Sequence, residues 1–73
     1  MSTDRENYLK LAATPNVIKN FIHGGPRCLD VILTYLGKEI ASKREFYTRG
    51  KLDSQYYAVT EHGKALLMER DLK

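Results

Sequence analysis

The sequence predicts a small α+β domain in which three to four helices pack against one two-stranded antiparallel hairpin. Residues 43–60, KREFYTRGKLDSQYYAVT, have the composition of two strands around a glycine-containing turn. Apolar residues recur at helical spacing on both sides of this stretch. A chain of 73 residues has room for one domain, which we expect to span residues 1–73.

The predicted hairpin joins Lys43–Thr48 to Ser54–Thr60, two segments rich in aromatic and β-favouring residues. The connection Arg49–Asp53 contains a glycine and has a length that hairpins use. Successive side chains of a strand point to opposite faces, so Tyr56 and Tyr57 are expected on opposite sides. One of these tyrosines should then pack in the core and the other should be exposed.

A short helix is predicted near the N-terminus. Thr3 and Glu6 have the spacing of a capping box, in which each side chain accepts a hydrogen bond from a free backbone N–H. The helix that follows contains Tyr8 and is only about two turns long, a length that is marginal by itself. Residues 1–13 are therefore also interpreted as a flexible arm, which can fold on a partner.

Two further helices are predicted between residues 14 and 36. Thr14 with Pro15 is typical of a helix start, the Gly24-Gly25 pair of a helix end, and Pro26 opens the next element. The apolar positions at helical spacing are Val17, Ile18, Phe21 and Ile22 in the first helix and Leu29, Ile32, Leu33 and Leu36 in the second.

Gly37 leaves two alternatives open. It is the turn of a helix-turn-helix, with Lys38–Glu45 as a recognition-type helix, or the preceding helix continues through it to Ala41 and leads directly into the hairpin. After the hairpin, Thr60 is expected to cap the last helix, where Gly63 lets the helix pack closely.

Positive charge is concentrated on the predicted hairpin and on the residues just before it in the sequence. The formal net charge is +3, and residues 38–51 contribute all of it, with five basic against two acidic residues. A basic patch of this kind suits nucleic acid or an acidic protein surface. The residues predicted to bind a macromolecule are Lys43, Arg44, Arg49, Lys51, Tyr56 and Tyr57.

Other functional classes find little support in the sequence. Cys28 is the only cysteine, so an internal disulfide is impossible, and neither a signal peptide nor a membrane span is visible. His23 and His62 lie far apart and no residue cluster has metal-ligand spacing. We therefore expect a cytoplasmic protein that is not an enzyme and that has no catalytic site, metal, cofactor or small-molecule substrate.

Residues 55–67, QYYAVTEHGKALL, resemble the second wing strand and following helix of winged helix-turn-helix transcription regulators. That family commonly passes from a tyrosine-rich strand into Leu-Thr-Glu-x-Gly-x-x-Leu, and here Val59 occupies the first Leu position. The resemblance implies a winged-helix-like domain that binds DNA. The segment in the recognition-helix position, KEIASKREF, departs from the family because it is short and has few apolar anchors.

In length and pattern the whole chain is also similar to small phage-encoded regulators that bind the host RNA polymerase, such as those of Xanthomonas phages. This resemblance implies a transcription regulator whose partners are bacterial RNA polymerase subunits. Such a regulator inhibits initiation by displacing the sigma factor and alters termination. The alternative is a winged-helix repressor or activator whose partner is DNA.

Overall fold

The computed structural model describes residues 3–71. Its six elements, in chain order, are α1 (Asp4–Ala12), β1 (Ile18–His23), β2 (Cys28–Tyr35), β3 (Lys38–Thr48), β4 (Lys51–Val59) and α2 (Glu61–Asp71). The four strands form one antiparallel sheet in the order β1-β2-β3-β4, and each strand pairs with its neighbour in sequence.

The predicted winged-helix-like fold is wrong. The described residues form two helices and a four-stranded sheet rather than three to four helices with a two-stranded hairpin. The two helices expected between residues 14 and 36 are replaced by β1 and β2. The segment Lys38–Glu45, for which a recognition helix was one of two alternatives, is the first part of β3. The predicted hairpin exists as β3 and β4, although its turn consists of only Arg49 and Gly50.

Two similar turns explain why the chain reverses where a continuous helix was considered. Leu36 and Gly37 connect β2 to β3 with φ angles of 53° and 78°, and Arg49 and Gly50 connect β3 to β4 with the same two values. Two consecutive residues with positive φ are the geometry of the tight turns that best match the twist of paired strands. Gly37 therefore closes a second hairpin, and neither of the two alternatives considered for it holds.

The core lies between one face of the sheet and the two helices. It contains Tyr8 and Leu11 from α1, Leu67 from α2, and the strand residues Val31, Leu33, Ile40 and Ala41. Ile40 and Ala41 are both buried although they are consecutive, because a bulge places Ile40 between the pairs Thr34–Glu39 and Leu33–Ala41. Both helices pack on this face, so neither of them covers the opposite face of the sheet.

The hydroxyl caps predicted at Thr3 and Thr60 are confirmed, whereas the helix start predicted at Thr14 is wrong, because Thr14 lies between α1 and β1. The Glu6 N–H donates to the Thr3 hydroxyl at 3.2 Å, and the Gly63 N–H donates to the Thr60 hydroxyl at 3.1 Å. Residues 4–12 of the predicted arm form α1, which packs into the core; residues 1 and 2 of that arm lie outside the described residues.

The start of α2 is fixed directly to the bulge in β3. The Thr60 hydroxyl donates to the Glu39 carbonyl at 2.7 Å, and the Thr60 N–H donates to the Ile40 carbonyl at 3.0 Å. Gly63 packs against the same Ile40 carbonyl, and a methyl group at its Cα would overlap this oxygen. The expectation that Gly63 allows close packing is therefore confirmed.

Candidate interaction surface

The two faces of the sheet have different surroundings. Tyr57 lies on the side of the helices, where its ring meets that of Tyr8 with centroids 5.3 Å apart. Tyr56 points to the other side and is 62% exposed. This confirms the expectation for the two tyrosines. We call the side without helices the open sheet face. By register and alternation it consists of Ile18, Asn20, Ile22, Cys28, Asp30, Ile32, Thr34, Glu39, Ser42, Arg44, Phe46, Ser54, Tyr56 and Ala58.

Much of the open sheet face is apolar and exposed. Ile18 is 61% exposed and Ile22 is 46% exposed, both on β1. The surface dips into an open groove of about 620 Å³ over β2, β3 and β4, with Ile32, Arg44 and Tyr56 among the residues that line it. An exposed apolar surface on a domain of this size is typical of a site that binds another molecule.

An ion pair lies in the middle of this face. Arg44 donates two hydrogen bonds to the Asp30 carboxylate, from Nε at 2.8 Å and from Nη2 at 3.1 Å. These hydrogen bonds and the positive charge of the guanidinium lower the pKa of Asp30. The same hydrogen bonds and the negative charge of the carboxylate raise the pKa of Arg44. The Cys28 thiol lies 3.9 Å from the same carboxylate and also helps to lower its pKa. The charges at the centre of the face therefore neutralise each other.

Two aromatic rings lie beside the ion pair. Tyr56 is the register partner of Arg44, and its ring meets that of Phe46 edge to face, with centroids 5.8 Å apart and an angle of 80° between the planes. Phe46 is half-buried and so can hold the more exposed Tyr56 in place. Aromatic residues and arginine are the side chains that contribute most often to the energy of protein–protein binding.

The turn between β3 and β4 carries the free positive charge. This hairpin extends beyond β2, because Cys28, the first residue of β2, already pairs with Phe46. Arg49 and Lys51 are exposed there and have no ion-pair partner among residues 3–69, whose side chains the structure describes. Arg27 is at the same end, since its carbonyl accepts a hydrogen bond from the Tyr47 N–H at 2.8 Å. We call Arg27, Arg49 and Lys51 the basic end of the sheet.

The six residues predicted to bind a macromolecule lie in three places. Arg44 and Tyr56 are on the open sheet face, and Arg49 and Lys51 are at the basic end. Lys43 and Tyr57 lie on the side of the helices. The Lys43 ammonium is 3.7 Å from the Glu45 carboxylate and 5.5 Å from the centre of the Tyr8 ring, so it is already engaged within the domain.

Sequence reasoning did not assign Ile18, Ile22 or Asp30 to this surface. The spacing of Ile18 and Ile22 is equally compatible with a strand, in which residues two and four apart share a face. That alternation is the signal that could have placed the isoleucines together. The pairing of Asp30 with Arg44 required the register of β2 against β3, which no local pattern contains.

No protein-family model matches this chain, and searches of curated proteins and of solved structures found no similar protein. Neither of the two described helices has the length and apolar content needed to cross a membrane. Among the side chains that the structure describes, residues 3–69, no three His, Cys, Asp or Glu are grouped so that they could hold a metal ion.

Proposed function

We propose that this chain is a non-enzymatic, phage-encoded regulator of transcription that binds bacterial RNA polymerase in the cytoplasm of the host. Its resemblance to small phage regulators supports the choice of polymerase and implies that it inhibits initiation by displacing sigma and alters termination. The observation that carries the choice of a protein partner is the open sheet face, which exposes isoleucine and tyrosine side chains around an internally neutralised ion pair.

The chemistry of this face suits protein better than a phosphate backbone. The buried centre of a protein interface is depleted in charged residues and enriched in aromatic residues and arginine. Binding to nucleic acid instead depends on Lys and Arg side chains that neutralise phosphates and release counterions. Arg44 is already neutralised by Asp30, while Tyr56 offers an exposed aromatic ring.

The alternative, a winged-helix repressor or activator that binds DNA, depended on a recognition helix. That segment, Lys38–Glu45, pairs with neighbouring strands on both sides as part of β3 and cannot enter a major groove as a helix. The free cations of the basic end then have a different role in our proposal. They lie beside the apolar face, at the rim, where charge raises the rate of association more than it lowers the rate of dissociation.

The proposal is tested by binding of the chain to purified RNA polymerase. Tyr56→Ala removes an exposed ring from the open sheet face, and we expect the Kd to rise at least about tenfold, as for a central interface residue. Met68→Ala is the matched control, because Met68 is 67% exposed on α2, away from this face, and its loss should leave the Kd within about twofold. Equal effects of the two substitutions would contradict the assignment of the surface.

The basic end is tested separately with the double variant Arg49→Ala and Lys51→Ala. We expect a slower association rate, a weaker dependence of that rate on salt and a nearly unchanged dissociation rate. Unchanged binding and regulation would mean that these charges only keep the protein soluble.

A further inference from the structure

The outer side of β1 is a free sheet edge. β1 is the first strand in the sheet order, and all six of its residues, Ile18–His23, are exposed. No backbone hydrogen bond from residues 3–71 reaches its outer side. A strand in this position presents unpaired N–H and C=O groups on which another strand can pair.

The ladder determines which backbone groups are free. The Gly24 N–H donates to the Cys28 carbonyl at 3.1 Å, so this pair is hydrogen-bonded. Hydrogen-bonded and non-hydrogen-bonded pairs alternate along antiparallel strands. The N–H and C=O groups of Lys19, Phe21 and His23 therefore point outward, away from β2.

The side chains next to this edge have a matching pattern. Lys19, Phe21 and His23 lie on the side of the helices, whereas Ile18 and Ile22 lie on the open sheet face. An added strand would place its side chains alternately beside these two rows. The Lys19 ammonium on one side and the two isoleucines on the other favour a strand in which acidic and apolar residues alternate.

The charge around β1 indicates the same kind of partner. Residues 16–29 contain Lys19 and Arg27 but no Asp or Glu, and Asp30, the register partner of Ile22, is already paired with Arg44. Lysine on an edge strand opposes pairing between two copies of the same chain, because like charges are brought together. An acidic segment instead gains favourable cross-strand charge pairs.

From this edge we infer that β1 accepts an extended, acidic segment of a partner protein as a fifth strand of the sheet. The segment alternates acidic residues, which lie on the same side of the sheet as Lys19, with apolar residues, which extend the surface formed by Ile18 and Ile22. This inference goes beyond the proposed function, because it concerns a second surface and does not depend on the identity of the partner as polymerase.

Peptides test the backbone and charge requirements without altering the protein. The probe is a fluorescent six-residue repeat of Glu-Val, equal in length to β1, whose binding to the whole chain is followed by anisotropy. We expect saturable binding, and at least about tenfold weaker binding of a Lys-Val repeat. A Glu-Val repeat with N-methyl groups on the amides that face the edge should also bind about tenfold more weakly, because the loss of about 1.4 kcal/mol of binding free energy corresponds to a tenfold change in Kd.

A pair of variants locates the site on β1. Phe21→Pro removes an outward N–H and leaves the ladder to β2 intact, as proline permits at a sheet edge. Phe21→Ala is the matched control, because it removes the same 64%-exposed ring but keeps the N–H. We expect the proline variant to bind the Glu-Val peptide about tenfold more weakly than the alanine variant. Hydrogen exchange should show that the peptide protects the Lys19, Phe21 and His23 amides.

Several results would overturn the inference. These are no binding of the Glu-Val peptide, equal binding of its N-methylated form, or protection confined to residues outside β1. Self-association through β1 in sedimentation experiments would replace the acidic partner with a second copy. If Phe21→Pro does not fold, as judged by circular dichroism, the N-methylated peptide and the exchange experiment decide the outcome.

Discussion

Replacing Gly63 with alanine should destabilise the protein, although alanine favours a helix more than glycine does. The new methyl group would overlap the Ile40 carbonyl oxygen and would lie 3.0 Å from both the Ile40 carbonyl carbon and Val59 Cγ1. Two of these three atoms belong to backbone that is held in the sheet. The start of α2 must therefore move away from β3.

The Gly63→Ala change makes one favourable and several unfavourable contributions to the free energy of unfolding, and the unfavourable ones are larger. Helix propensity favours alanine by about 1 kcal/mol. Inserting a methyl group into a packed contact costs about 1–3 kcal/mol. Moving α2 also weakens the Thr60 N–H bond to the Ile40 carbonyl and the Thr60 cap, each of which contributes about 1 kcal/mol. The net loss should be about 2–3 kcal/mol, a large part of the stability of a small domain.

Thermal and urea unfolding, followed by circular dichroism, measure this loss. For a domain of this size it corresponds to a decrease in Tm of about 10–20 °C. His62→Ala, at the exposed neighbouring position of α2, is the control and should change the free energy of unfolding by less than about 0.5 kcal/mol. A Gly63→Ala protein as stable as the wild type, or more stable, would refute the close contact between α2 and the bulge.

Three further predictions follow from the core and the ion pair. The pKa of Asp30 should lie below its ordinary value of 3.8, so the ion pair's contribution to stability is present above pH 3.8 and is lost as the pH falls through the lowered pKa. In an NMR titration, Arg44→Ala should return the pKa of Asp30 toward 3.8. Burial raises the pKa of Tyr8 above 10.0, so stability is lost as the pH rises through the raised pKa, and Tyr8→Phe should reduce this alkaline loss in unfolding curves. Leu11→Ala should cost about 2–5 kcal/mol in urea unfolding, whereas Leu9→Ala, at a 51%-exposed position, should cost less than about 0.5 kcal/mol.

The features that the sequence predicted correctly depend on local chemistry. The caps at Thr3 and Thr60 are set by hydroxyl groups close to free backbone N–H groups in the chain. The hairpin of β3 and β4 was visible because its aromatic strands flank Gly50. Gly63 was recognised because it follows Thr60 and Glu61 at the start of the last predicted helix, and its role was confirmed by the position of α2 against β3.

The wrong helices arose where a pattern was compatible with two structures. Ile18, Phe21 and Ile22 are three and four residues apart, which fits a helix, but they also fit an edge strand exposed on both faces. In β2 the buried Val31 and Leu33 follow the strand period, although Ile32 between them makes the run appear helical. Only pairing with other strands decides between such alternatives.

One local signal could have corrected this interpretation. The tripeptide Leu36-Gly37-Lys38 has the same form as Arg49-Gly50-Lys51 at the turn between β3 and β4, whose place was predicted although its length was overestimated. Both place a non-glycine residue with positive φ before a glycine.

Charge alone identified Arg49 and Lys51 as candidates, but it could not show that Arg44 is paired with Asp30, because these residues meet only in the folded sheet.

The most direct test of the proposed function is the binding of a labelled form of this chain to purified core RNA polymerase, with and without sigma factor, over a range of salt concentrations. We predict saturable binding that sigma factor reduces by competition and that falls only weakly as salt increases, because the contact is mainly apolar. Failure to bind polymerase, together with binding to DNA that collapses as salt increases, would contradict the proposal.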